Sequence, residues 1–164
     1  TAPATSQARM VSIFHVARSA SGEPALMCTA QSGGTWTTVP MVQGVESFQV
    51  LYGVDNVTPG AAPGGTTNSV PDQYLRADQL DVAADPVATN GNWRRVRTLR
   101  IGMVLRGPPN SVQGSAETGR VYYPLGRLLS SPADTGSAFT PSADSRLRQV
   151  VSFTVNLRND QSMQ

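Results

Sequence analysis

Three groups of residues in this chain are of types that could do chemistry. Cys28 and His15 are its single cysteine and single histidine. A thiol becomes a nucleophile when a neighbouring base takes its proton, so this is the one pair from which a Cys–His site could be made. The other reading of Cys28, set in Ala25-Leu26-Met27-Cys28, is a small buried hydrophobe. Asp55, Asn56, Asn68 and Asp72 are hard oxygen donors around a flexible segment, a set that suits Ca²⁺. Tight Ca²⁺ loops space acidic residues closely, whereas this stretch is mostly Gly, Ala, Pro and Thr, so an ordinary solvated turn is the alternative. Trp93 with Arg94, Arg95, Arg97 and Arg100 is the densest positive cluster. Such a group can hold single-stranded nucleic acid by phosphate contact and stacking. It can equally be the polar face of a strand beside a core Trp, or a set of bidentate partners for acidic neighbours in an assembly. These five are the candidate DNA or partner contacts.

Other chemistry fails at the level of residue types. One His and one Cys do not make a zinc set, which takes several N or S ligands. No Gly-rich phosphate loop opens a helix, and no Ser elbow joins a strand to a helix. The expectation is a chain that is not an enzyme and that takes no metal or cofactor.

The elements that must position these residues follow from composition and periodicity. With 164 residues, 39% apolar and 15% charged, the chain has the size and balance of one folded domain. Fifteen Gly and twelve Pro imply long turns between short strands. Every basic side chain is Arg, and the net charge of +2 is too mild to require a nucleic-acid partner. Apolar residues alternate over Met10–Arg18, Pro24–Gln31, Thr35–Met41 and Gly44–Asp55, which predicts four successive strands in an antiparallel meander. Pro40 marks an edge or a strand end. In the fourth strand Phe48, Val50, Tyr52 and Val54 share a side. Asn56–Pro71 is a breaker-dense loop, and Asp72–Ala84 reads as a short helix capped by Asp72, with Tyr74, Leu75 and Leu80 inward and Asp85-Pro86 as its stop. Trp93–Val96 reads as one helical turn. Arg97–Arg106 is the clearest strand, with Leu99, Ile101, Met103 and Leu105 expected in the core and Thr98, Arg100, Gly102, Val104 and Arg106 outside. Residues 111–143 are irregular, and Gln149–Arg158 is the closing strand, with Val151, Phe153, Val155 and Leu157 on one side. The fold class is α+β, dominated by antiparallel β-sheet with long irregular loops and short helical segments.

Three segments also carry a resemblance. Val42–Asp55, with Val45-Glu46-Ser47-Phe48-Gln49-Val50-Leu51-Tyr52-Gly53-Val54-Asp55, Trp93–Arg106, with Val96-Arg97-Thr98-Leu99-Arg100-Ile101-Gly102-Met103-Val104-Leu105-Arg106, and Asp144–Asn159, with Arg146-Leu147-Arg148-Gln149-Val150-Val151-Ser152-Phe153-Thr154-Val155-Asn156-Leu157-Arg158-Asn159, resemble the PilW-type minor pilins of Gram-negative type IV pili. Leu26-Met27-Cys28 and Tyr74-Leu75-Arg76-Ala77-Asp78 fit the same order of pieces. The resemblance implies a pilin-like headgroup over residues 10–159, preceded by a disordered or vector-derived segment 1–9 and followed by a polar tail 160–164. It implies a leader cleaved and N-methylated by prepilin peptidase, and an N-terminal helix that holds the protein in the inner membrane with its headgroup in the periplasm. It further implies joining other minor pilins and the major pilin to prime pilus assembly, with a place at the pilus tip and on the cell surface. Twitching motility, adhesion and competence depend on such fibres. The alternatives are a DNA-binding or adhesive tip module, recognising DNA or a surface ligand, and the equivalent pseudopilin of a type II secretion system. The family's Asp/Gly-rich, Ca²⁺-like run is replaced here by Asn56-Val57-Thr58-Pro59-Gly60, so no metal is carried over.

Overall fold

A computed structural model describes residues 11–112 and 119–157. The expected segments 1–9 and 160–164, together with Met10 and Arg158 at the ends of two predicted strands, lie outside the described residues. The elements run β1 (Val11–Arg18), β2 (Pro24–Ser32), β3 (Thr35–Gln43), β4 (Val45–Val54), β5 (Gln73–Leu75), α1 (Pro86–Trp93), β6 (Val96–Arg106) and β7 (Arg148–Asn156). Short 3-10 turns occupy Ala77–Gln79, Arg127–Leu129 and Thr135–Ser137. This is the expected α+β class, dominated by two antiparallel sheets. The chain forms two compact units, one from residues up to 48 with 103–151, the other from 49–102 with those from 152 onward.

The first unit holds a three-stranded sheet in the order β1-β2-β3. Ser19-Ala20-Ser21-Gly22 turns β1 into β2, and Ser19 N donates to Glu23 O at 2.8 Å while Gly22 N donates to Ser19 O at 2.9 Å. The central strand carries the burial, at Ala25, Leu26 and Met27, because it is flanked on both edges. β3 is an edge strand, exposed along its whole length, and Pro40 lies opposite Met27 beside a register shift. A residue without an N–H is tolerated there because an edge strand leaves half its donors unpaired. Val45, Val104, Tyr122 and Leu125 are the other buried hydrophobics of this unit.

The meander stops after three strands. β4 joins a second sheet, ordered β5-β4-β6-β7, and does not pair with β3. The break falls at Gly44, whose φ is +81°. Its N–H donates to Pro24 O at 2.7 Å and its carbonyl accepts from Arg106 N at 2.8 Å, so one residue links the end of one sheet to the start of the other. A Cβ here would sit 2.8 Å from the Arg106 carbonyl oxygen. Only glycine meets both demands.

The expected inward face of β6 is reversed, and in β4 the more apolar side is not the deeper one. In β6 the buried positions are Thr98, Gly102 and Val104, while Leu99, Ile101, Met103 and Leu105 are half-buried. In β4, Val45, Ser47, Leu51 and Gly53 are buried, and Phe48, Val50 and Tyr52 are half-buried, although Val54 lies in the core as expected. Alternation separates two sides of a strand without saying which lies deeper. Here the deeper side is written in small residues that permit close approach: a Cβ on Gly53 would fall 2.0 Å from Thr98 Oγ1.

In the second unit Val54, Val57, Leu75 and Leu80 form one apolar cluster, with Tyr52 and Val96 packed against it. Fully burying a side chain such as Leu80 contributes about 1.5–3 kcal/mol relative to leaving it exposed. The predicted helix over Asp72–Ala84 is instead β5 followed by a 3-10 turn. Asp85-Pro86 starts a helix where a stop was expected. Asp85 Oδ1 accepts from Val87 N at 3.1 Å and Ala88 N at 2.9 Å, and Pro86 occupies the first helical position, where its missing N–H costs nothing.

Candidate functional site

The arginine cluster hangs on the end of α1 and the start of β6, both in the second unit. α1 is held by Asn92, fully buried, whose Nδ2 donates to Ala61 O at 2.9 Å and Leu80 O at 3.0 Å. Trp93 follows, 39% exposed, and meets the Tyr52 ring edge-on at 4.9 Å between centroids. The single helical turn expected at Trp93–Val96 is therefore the end of α1, and β6 begins directly at Val96.

The structure separates the five candidate residues by what they touch. Arg94 is exposed. Arg95 donates from Nη1 to Gly64 O at 2.9 Å and to Asp55 O at 3.4 Å, and from Nη2 to Gly65 O at 3.1 Å. Arg97 Nη1 donates to Arg94 O at 3.2 Å, and its Nε lies 3.7 Å from Asp55 Oδ2. Arg100 sits half-buried in β6, with its Nε buried and without a hydrogen-bond partner among the described residues.

The oxygen-donor loop is organised by the same hardware. Asp55 is fully buried. Its Oδ2 accepts from Asn68 N at 3.0 Å and Ser69 N at 2.9 Å, and its Oδ1 accepts from Asn56 Nδ2 at 3.2 Å. Asp72 Oδ2 accepts from Asn56 N at 2.7 Å, and Asn56 Nδ2 also donates to Thr66 O at 2.6 Å. The lone pairs that a cation would need are thus aimed at the loop's own amides. Among the described residues no group of three or more His, Cys, Asp or Glu side chains is placed to hold a metal ion.

Cys28 and His15 are kept apart by register. Cys28 lies opposite Phe14, and His15 lies opposite Met27, so the thiol and the imidazole leave the sheet on opposite faces. His15 Nε2 instead shares a hydrogen bond with Thr29 Oγ1 at 2.9 Å, which in turn meets Thr38 Oγ1 at 2.8 Å.

A second charged constellation, in the first unit, was not anticipated from sequence. Arg146, Glu23, Arg106, Glu46, Arg148 and Asp144 alternate in sign around a ring. Glu23 accepts from Arg106 Nη2 at 2.7 Å and from Arg146 Nη2 at 3.0 Å. Glu46 accepts from Arg148 Nε at 2.7 Å and lies 3.4 Å from Arg106 Nη1. Asp144 grips Arg148 with both oxygens, at 2.6 and 2.8 Å, and closes the ring by accepting from Arg146 N at 3.1 Å. Hydrogen bonds from Arg106 and Arg146 hold the Glu23 carboxyl below its ordinary range, and those from Arg148 do the same for Asp144. The Asp144 and Glu46 carboxylates push the Arg148 guanidinium further up. The ring's partners lie up to 123 residues apart, and only the Asp144, Arg146 and Arg148 part of it is local in sequence. Three positive and three negative groups cancel, which makes this a structural clamp and not a charged binding field.

No helix among the described residues is long and apolar enough to cross a membrane. Neither a curated protein nor a solved structure matches the chain. The type IV pilus-assembly protein W family matches it over residues 13–159, a span that takes in both sheets, the pinned loop and the arginine-rich strand. The chain belongs to the type IV pilus-assembly protein W family.

Proposed function

We propose that this chain is a minor pilin headgroup, spanning residues 10–159, that joins other minor pilins and the major pilin to prime type IV pilus polymerisation and that keeps a place at the fibre tip. The family gives the coarser part, a role in type IV pilus assembly and a pilus or membrane-associated location. The observation that supports docking is the apolar character of the outer strands of the first sheet. Val11, Ile13, Phe14 and Val16 of β1 and Trp36, Val39, Met41 and Val42 of β3 are all exposed, with Phe14 at 52% and Trp36 at 50%. Solvated strands of a free-standing protein are usually charged or shielded, so such rows mark surfaces that meet other chains. Specific contacts bury on the order of 1,600 Å² in total. Tethering of subunits in a common assembly raises their effective concentration, so the isolated chain is expected to bind its partners weakly. Deleting the gene in its own bacterium and counting surface pili tests the reading: loss of pili, restored by complementation, is expected, and normal piliation overturns it.

A further inference from the structure

Two neighbouring polar atoms of β6 are buried without a hydrogen-bond partner among the described residues: Thr98 Oγ1 and Arg100 Nε. They belong to residues two apart on a strand, so they share one face. Thr98 is only 6% exposed. Buried polar atoms are nearly always paired, and a charged donor is the most expensive to leave alone. Two side by side therefore point to an acceptor that the described residues do not supply.

The neighbouring strand shows where that acceptor can enter. Leu157 N donates to Arg97 O at 2.8 Å, and Gly107 N donates to Leu147 O at 2.7 Å, two bonds of one antiparallel register. Continued along the ladder, that register sets Thr154 opposite Arg100, Asn156 opposite Thr98 and Ser152 opposite Gly102. Cross-strand pairs share a face. Ser152, Thr154 and Asn156 are exposed, so an open row of hydroxyl and amide groups leads up to Arg100.

We propose that Arg100, with the Thr98 hydroxyl beside it and the Ser152-Thr154-Asn156 row as its approach, is the seat for a carboxylate side chain of a partner subunit. The inference rests on the pilus-assembly reading and names the chemistry of one contact within it. A guanidinium is built to grip a carboxylate through paired N–H donors, and neutral hydroxyls leave the charge of a single acidic residue fully matched. A nucleic-acid strand calls for several cations along its path. Of the other arginines in the cluster, Arg95 and Arg97 are spent on the Asn56–Pro71 loop and its anchor, which leaves Arg94 as a single exposed cation.

The test titrates the ¹⁵N-labelled chain with acetylated triglutamate and follows the Arg100 Nε–H resonance and the amides of Thr98 and Thr154. A saturating shift is expected, and oligothymidylate at equal charge should shift the same signals less. Arg100→Gln should weaken the peptide about 30-fold, the loss typical of truncating one member of a desolvated charge pair, with Arg100→Lys between the two. Circular dichroism of each variant shows that the fold is intact, and Thr98→Val gives a second, milder lesion on the same seat. In the bacterium, Arg100→Gln should reduce co-purification with the other minor pilins. Absence of a peptide shift, a stronger response to oligothymidylate, or undiminished co-purification of the Arg100→Gln chain overturns the seat. The gene deletion reads the assembly role separately, so an intact Arg100→Gln phenotype beside a bald deletion strain removes this inference alone.

Discussion

Replacing Arg148 with Ala should be among the most damaging single changes in the first unit. Its side chain is only 2% exposed and donates to both Glu46 oxygens and both Asp144 oxygens. Truncation leaves Glu46, itself 11% exposed, with Arg106 at 3.4 Å as its remaining cation, and Asp144 with the Arg146 amide. Breaking a buried pair by removing one partner costs about 3–5 kcal/mol, because the stranded charge keeps its desolvation penalty. For a chain of this size each kcal/mol moves the midpoint by about 2–4 °C, so Tm should fall by about 6–20 °C. Thermal unfolding followed by circular dichroism at neutral pH reads the change. The cause is separable from lost packing: Arg148→Met combined with Glu46→Leu should be no less stable than Arg148→Met alone, since the second change removes a carboxylate that the first has orphaned. A midpoint for Arg148→Ala within about 2 °C of the parent would refute the reasoning and reduce the ring to a set of solvated surface pairs.

Three further outcomes follow from the geometry. Glu23 and Asp144 are held below their ordinary values of 4.5 and 3.8, so their contribution is complete above those values and drains away as pH falls through the depressed folded-state values. Tm should therefore drop as the medium is acidified below about pH 4.5, and the Glu23→Gln chain should show a flatter acid limb; identical limbs would exclude the mechanism. Gly44→Ala should destabilise by about 1–3 kcal/mol in urea titrations, since it combines a left-handed backbone with a Cβ pressed on the Arg106 carbonyl; an unchanged midpoint contradicts that account. Asp55→Ala should cost about 3 kcal/mol through lost charge-assisted bonds, and the Asn68 and Ser69 amides should exchange with deuterium far faster, whereas protection equal to the parent would show that the carboxylate does not pin the loop.

Period-two hydrophobicity was enough to place β1, β2, β3, β4, β6 and β7 with ends close to those observed, and the Pro/Gly density of 56–71 marked its loop correctly. Those signals are local, and so is the physics behind them. Depth is not local. Leu99, Ile101, Met103 and Leu105 look like core and are half-buried, because Thr98, Gly102 and Gly53 allow a closer approach on the other side. Alternation predicts β3 as the partner of β4, but Gly44 at +81° re-aims the chain there, a choice that alternation does not encode. In sequence Asp85-Pro86 reads as a terminator, whereas the same dipeptide caps and opens α1. Of the candidate site, the five residues around Trp93 are legible by composition, but their division into loop anchors and an Arg100 whose Nε has no partner among the described residues depends on contacts 30 or more residues away in sequence. The Arg148 ring spans still longer separations, from Arg148 to Glu46 and from Arg146 to Glu23, which no local pattern marks.

The way in which the 56–71 segment is fastened has a consequence for variation. Arg95 grips the carbonyls of Gly64 and Gly65, and Asp55 grips the amides of Asn68 and Ser69. These grips fall on main-chain carbonyls that every residue type has and on amides that every type but proline has, and the side chains between Thr58 and Thr67 are almost all turned to water. Mutational drift can therefore rewrite most of this stretch while its path stays fixed. Such a segment is where a grafted peptide would be absorbed without disturbing the scaffold beneath.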